Sequence, residues 1–261
     1  MKPSRIPLTI TLLVLVFFYL PIGFLVLNSF NESRYSSTWR GFSLRWYERL
    51  FERDDMLAAL GNSLKVAASA SLASMVLGTA AAFALHRHRS RLQRAHRLLV
   101  TVPLVLPDIL MGMSLLLLFV SLGLSLNLVT ITFSHITFCL SYVALVVLAR
   151  LQDFDFTAVE AARDLGATKF QAFMKVTLPL IAPGILAGGL LAFTLSIDDY
   201  VITYFVKGPG ADTLPTLVYS MIKKSRELPV INALSTLMLV VTFIVVAVSQ
   251  RLVRRPAGAG N

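Results

Sequence analysis

An all-α, polytopic membrane fold with about six transmembrane helices follows from three features of the sequence. Hydrophobic residues make up 56% of the chain and charged residues only 15%, too apolar a balance for a domain solvated by water on all sides. The apolar residues gather into windows of roughly 20, the length that crosses a hydrocarbon layer about 30 Å thick. The net charge of +10 sits in short basic runs between those windows. That spacing excludes a single basic face for nucleic acid and fits the excess of Lys and Arg in cytoplasmic loops.

The expected spans are Leu8–Leu27, Leu57–Leu85, Leu98–Leu122, Leu126–Leu148, Leu178–Val206 and Val230–Leu252. Lys2 and Arg5 ahead of the first span resemble the start of a secretory signal. The apolar run is longer than a signal core of roughly 7 to 15 residues, and no small-x-small site follows it, so a retained helix is expected. Between spans two and three lie Arg87, Arg89, Arg91, Arg94 and Arg97 with no acidic residue, and Arg251, Arg254 and Arg255 follow the last span. These segments are expected in the cytoplasm, which puts both termini there. The loop Asn28–Met56 works against this with Arg34, Arg40, Arg45, Arg49 and Arg53; the accompanying Glu32, Glu48, Glu52, Asp54 and Asp55 count little, and the acid-free run decides. The single cysteine, Cys139, lies within an apolar span and builds neither a disulfide framework nor a thiolate cluster from this chain alone. The whole chain, 1–261, reads as one transmembrane domain whose tail, Pro256–Asn261, is expected to fray.

This orientation leaves Arg150–Thr177 in the cytoplasm. Thr157 followed three residues later by Glu160 reads as a capping box, opening a short helix that Gly166 ends in a left-handed conformation. A second helix is expected from about Thr168 into Pro179, giving a helix-turn-helix across the membrane surface. Ala161 and Ala162 are small enough to admit another surface close to the backbone, and Glu160 can cap the helix or meet a partner's cation. Capping residues and a glycine stop also occur on ordinary solvated helices; the Leu178-Pro179 spacing and the position before the penultimate span favour a docking role.

With these residues in place, the segment resembles the EAA loop of bacterial ABC importer permeases: Glu160-Ala161-Ala162, three residues, Gly166, nine residues, then Val176-x-Leu178-Pro179. Val176 stands where the pattern has Ile. The resemblance implies a type I ABC importer permease fold and a coupling helix that docks in a cleft of an ATPase subunit. It extends over essentially the whole chain through Asn28-Ser29-Phe30-Asn31, Trp46-Tyr47, Pro107-Asp108, Ser134-His135-Ile136-Thr137-Phe138, Ser196-Ile197-Asp198-Asp199, Gly208-Pro209-Gly210, Leu214-Pro215 and Tyr219-Ser220-Met221. These segments are similar to the spermidine/putrescine permeases, and among them to PotC-type subunits. What this implies is a multi-pass protein of the bacterial inner membrane, paired with a PotB-like permease, two copies of a PotA-like ATPase and a PotD-like periplasmic binding protein. The loops Asn28–Met56 and Lys207–Pro229 then form the expected docking surface for the binding protein.

Ionised groups within spans are costly and face a cavity, a partner or the interface. Asp108 falls about ten residues, roughly 15 Å, into the third span, and Pro103 and Pro107 before it could break the helix and expose carbonyls to a cation path. It is the first candidate for the substrate pathway; a carboxylate paired with a neighbouring helix is the alternative. Asp198 and Asp199 lie about 19 residues beyond Pro179 beside Tyr200 and Tyr204. Separated carboxylates with aromatic faces suit a polyamine, though an interfacial belt would look the same. Tyr19 and Phe193 are weaker pathway candidates, and Lys65 is expected to reach the outer surface.

His86, His88 and His96 sit in the cytoplasmic arginine loop without metal-site spacing, and the solitary His135 reads as a hydrogen-bonded core residue. No catalytic pair and no metal set emerges, and no Walker A loop is present. The chain is therefore expected to be no enzyme and to carry no cofactor, with ATP and Mg²⁺ held by the partner ATPase. A permease for another small nutrient, such as an aminophosphonate or ferric ion, stays open because the coupling motif is shared across substrates. A secondary transporter would not need that motif.

Overall fold

The computed structural model describes residues 6–34, 38–87, 92–152, 154–224 and 228–253, and among these it is helical with no strand. Lys2, Arg5, His88, Arg89, Arg91, Arg254, Arg255 and the tail from Pro256 lie outside the described residues. The helices are α1 (Ile6–Ser29), α2 (Arg45–Phe51), α3 (Asp54–Arg87), α4 (Gln93–Val105), α5 (Asp108–Ser121) and α6 (Leu128–Gln152), then α7 (Thr157–Asp164), α8 (Lys169–Ala172), α9 (Leu178–Ile197), α10 (Val201–Val206), α11 (Leu214–Lys224) and α12 (Leu228–Val253). Among the described residues, four stretches are long and apolar enough to cross a membrane, five when the bent pair α4 and α5 counts as one. The sixth expected span falls on α12, whose apolar stretch Leu228–Ile244 is shorter.

The chain divides into two compact units, 1–57 with 217–261 and 58–216. In the first, α12 packs against both α1 and α2. The loop after α1 is knotted around Asn31, which is 1% exposed. Its side chain donates to the Thr38 carbonyl at 2.9 Å and accepts from the Ser33 and Arg40 amides at 3.1 Å each. Its carbonyl receives the buried Trp46 indole N–H at 2.7 Å, and Ser29 and Tyr47 share a hydroxyl contact of 2.7 Å. The Asn28–Asn31 and Trp46-Tyr47 segments, far apart as sequence signatures, thus form one polar cluster in which buried groups find partners. The side chains of α1 stay largely exposed, with Phe17 at 75%, the state of a helix whose solvent is lipid or another subunit.

In the second unit, α6 and α9 pack along their length around Cys139, Val143, Val147, Ile181 and Ala192. Gly78 of α3 lets that helix approach α6 closely, since a Cβ there would lie 2.8 Å from the Cβ of Val143. Asn127 opens α6 as its N-cap, accepting from the Val129 amide at 2.7 Å.

Two spans read from the sequence as continuous are broken. The third bends by 111° between α4 and α5. Pro107 has no N–H to continue the ladder and forces Leu106 into an extended conformation with ψ of 132°, as the prolines suggested. The fifth span breaks between Ile197 and Val201, where the sequence carries no proline at all.

Candidate functional site

The segment after α6 forms the expected pair of short helices, and its turn follows from local chemistry. Gly166 has φ of +91°, the Gly166 amide donates to the Arg163 carbonyl at 2.9 Å and Ala167 donates to Ala162 at 3.0 Å. This is a Schellman ending, in which a residue of positive φ lets the last carbonyls of α7 be met. The expected capping box at Thr157 and Glu160 is not formed, because Asp155 takes both the Thr157 amide and hydroxyl and Phe156 stands at the N-cap position. Those two bonds, the hydroxyl one foremost, hold the Asp155 carboxyl below its usual range. The box forms one helix later: Gln171 donates its amide to Thr168 Oγ1 at 3.2 Å and accepts the Thr168 amide at 2.9 Å. Thr168→Ala is expected to cost about 1 kcal/mol locally, read as about fivefold faster amide exchange in α8. Unchanged exchange would show that the box contributes nothing.

Between α8 and α9, Phe173–Thr177 forms a π-helical turn, closed by the Leu178 amide on the Phe173 carbonyl. Pro179 cannot donate to Lys175, four residues back, and the turn ahead of it widens. Leu178 and Pro179 thereby stand at the start of α9. The surface of the turn is apolar, with Leu165 at 90% and Phe170 at 71% exposure, while Ala161 is exposed beside a half-buried Ala162. Glu160 and Arg163 line a cleft of about 320 Å³ with Lys169 and His86, whose ring stacks on Phe156. The turn thus presents exposed apolar side chains beside a charged cleft.

The second site lies where the two broken spans meet. A cleft of about 380 Å³ is lined by the carboxylates of Asp108, Asp198 and Asp199 and by the rings of Phe138, Tyr142 and Tyr200. Asp108 is the first residue of α5, placed there by the Pro107 break, and is exposed to the cleft with Asp198. Among the described residues neither carboxylate accepts a hydrogen bond. Asp199 differs: it accepts from the Thr203 amide at 2.8 Å, the Thr203 hydroxyl at 2.7 Å and the Ile202 amide at 3.3 Å, satisfying the first amides of α10. His135 reaches the same carboxylate with Nε2 at 3.2 Å.

The structure therefore brings Asp108, Asp198, Asp199 and Tyr200 together at one cleft. Tyr204, at 51% exposure on α10, and the half-buried Phe193 on α9 do not line the cleft. Tyr19 is exposed on α1 in the other unit, and Lys65 is exposed on α3. His135 is 1% exposed, a hydrogen-bonded core histidine. Among the described residues no three His, Cys, Asp or Glu side chains converge to hold a metal ion.

Residues 74–256 match the family described as binding-protein-dependent transport system inner membrane component. The chain belongs to this family. Among relatives, the permease is 47% identical over 245 residues to the putrescine transport system permease protein PotI of Escherichia coli strain K12, covering 91% of this chain and 86% of that protein. It is 42% identical over 248 residues to the spermidine/putrescine transport system permease protein PotC of the same strain, covering 95% and 93%. The resemblance to PotC-type subunits is thus accompanied by one to PotI that is higher in identity over slightly less of each chain. Its fold is that of a subunit of a bacterial ABC transporter importing the acidic polysaccharide alginate, with a TM-score of 0.76, 19% identity and coverage of 96% and 98%. The permease is a transmembrane subunit of an ABC importer of the inner membrane.

Tyr142 is a lining residue of the permease that the sequence reading passed over. It stands seven residues after His135 and four after Phe138, and that spacing places all three on one face of α6. His135 as a ligand of Asp199 was equally hidden, because the two are 64 residues apart.

Proposed function

We propose that the permease moves protonated polyamines through the cleft at its two broken spans. The cleft carries the reading: the open carboxylates of Asp108 and Asp198 in one cleft with three aromatic residues suit a flexible apolar chain bearing ammonium groups. Asp108 and Asp198 offer charge, while Phe138, Tyr142 and Tyr200 offer apolar and cation–π surface between them. A cleft for an anionic nutrient would need cations in those places. The putrescine and spermidine/putrescine transport functions of the named relatives support the same cargo.

The work is driven elsewhere. The chain contains no phosphate-binding glycine loop, so ATP and Mg²⁺ belong to a PotA-like ATPase present in two copies, in whose surface the turn at Glu160, Ala161, Ala162 and Gly166 docks. A PotB-like permease completes the membrane pair and a PotD-like protein delivers cargo to the outer loops. Both termini lie in the cytoplasm, the side of the basic runs.

Asp108→Asn tests the reading because it keeps size and hydrogen bonding while removing the charge. Loss of one charge-assisted contact predicts polyamine uptake reduced about tenfold or more, with complex yield unchanged. Full uptake at normal yield would remove Asp108 from the pathway. A low yield would instead mark it as one half of a structural pair, whose breakage costs roughly 3 to 5 kcal/mol when buried.

A further inference from the structure

We infer that His135 is a positioning residue for cargo: it takes Asp199 out of the cargo-binding set and so fixes Asp198 toward the cleft. The inference rests on the reading of the cleft as a cargo path. The imidazole is 1% exposed and has partners on both ring nitrogens. Nδ1 lies 2.7 Å from Ser196 Oγ at the end of α9, and Nε2 lies 2.9 Å from Thr203 Oγ1 on α10 and 3.2 Å from Asp199 Oδ2 between them. One ring on α6 thus ties both sides of the break in the fifth span.

The donor count settles how. The Thr203 hydroxyl and amide both donate to Asp199 Oδ2, so the hydroxyl proton is spent and Nε2 must be the donor toward Thr203 Oγ1 and Asp199. Ser196 Oγ meets the other ring nitrogen, so each polar atom of the imidazole has a partner. Asp199 receives protein donors at each oxygen, with its side chain only 10% exposed. A carboxylate so occupied has little capacity left for an ammonium group. Its neighbour Asp198 is exposed and accepts nothing among the described residues, so the cleft is left with Asp108 and Asp198 as its open carboxylates. The backbone direction at Asp198 is inherited from the anchoring of the next residue, which Thr203 and Ile202 hold from α10 and His135 holds from α6.

The test uses the complete importer in vesicles with its ATPase and binding protein, and reads radiolabelled putrescine moved per ATP hydrolysed. A residue that only stabilises the fold changes both quantities together and leaves that ratio fixed. His135→Leu and Asp199→Asn are each expected to lower the ratio about tenfold, and the double variant to be no lower than the worse single one, because the two act through one link. Thr203→Val keeps the buried shape while removing the shared hydroxyl, and is expected to lower the ratio in the same direction if His135→Leu assembles poorly. An unchanged ratio in His135→Leu or Thr203→Val, or losses that multiply in the double variant, overturns the positioning role. Asp198→Asn separates the two levels. If its ratio is unchanged the cleft reading fails and the positioning role falls with it; if its ratio drops while His135→Leu stays normal, only the positioning role is lost.

Discussion

Gly166→Val is expected to abolish most ATP-driven uptake while the chain still inserts and pairs. The φ of +91° at Gly166 is one that side chains of L-residues rarely adopt, and nothing lies within 4 Å of where a Cβ would stand. The cost is therefore conformational rather than steric: roughly 1–2 kcal/mol for an ordinary residue, and more for a β-branched one. That is comparable to the two turn hydrogen bonds that hold α7 to its ending, so the turn re-forms with φ negative and α7 leaves its direction. Leu165 and Phe170 then no longer project together. Asn tolerates positive φ better than Ala, and Ala better than Val, so uptake per inserted complex should fall in the order Gly, Asn, Ala, Val. An unordered series, or normal uptake by Gly166→Val at normal expression, would falsify the turn and its coupling role together.

Gly208→Ala is expected to lower the thermal stability of the permease by more than a methyl group added at Gly78 or Gly112. A Cβ at Gly208 would lie 1.8 Å from the carbonyl oxygen of Leu126 and 2.6 Å from its carbon. Those are backbone atoms, with no flexible side chain to swing aside, so one of the two loops must move. The displaced loop is tied down nearby: Thr130 Oγ1 donates to the Val206 carbonyl at 3.0 Å, and the Asn127 amide donates to Thr130 at 2.9 Å. Overpacking of this kind costs typically 1–3 kcal/mol, and at Gly208 it threatens those bonds as well. The melting midpoint of the assembled complex reports it. A midpoint equal to that of the unsubstituted complex would mean that the two loops separate without cost.

How far the sequence foretold the fold depends on where each cause lies. The spans were legible because the cause, apolar length, is local and repeated, and the bend at Leu106–Pro107 because proline acts on its own neighbours. The turn at Gly166 was legible for the same reason. The capping box was placed one helix too early, since Thr157 with Glu160 and Thr168 with Gln171 fit the same pattern, and only the competing Asp155 decides between them. The break at Asp198–Tyr200 was passed over: Asp199 meets the first amides of α10 locally, but the histidine that ties Ser196 and Asp199 across the break comes from another helix. The candidate cleft divides likewise: its carboxylates stood out as charges in apolar surroundings, whereas Tyr142 looked like any aromatic in a span.

The widened turn at Phe173–Thr177 sets an angular phase. From Lys169 to Ile197 the chain runs as one helical stretch of 29 residues, so a twist applied at one end arrives at the other. An α-helix advances about 100° per residue, and a turn closed from Leu178 back to Phe173 holds one residue more than the α pattern allows. Everything ahead of it, from Ala172 back to α7, is consequently rotated by about that angle against α9, compared with an unbroken helix. Deleting one residue between Phe173 and Thr177 would restore the regular pitch and swing α7 and its turn to another side of the same axis, with its own internal hydrogen bonds intact.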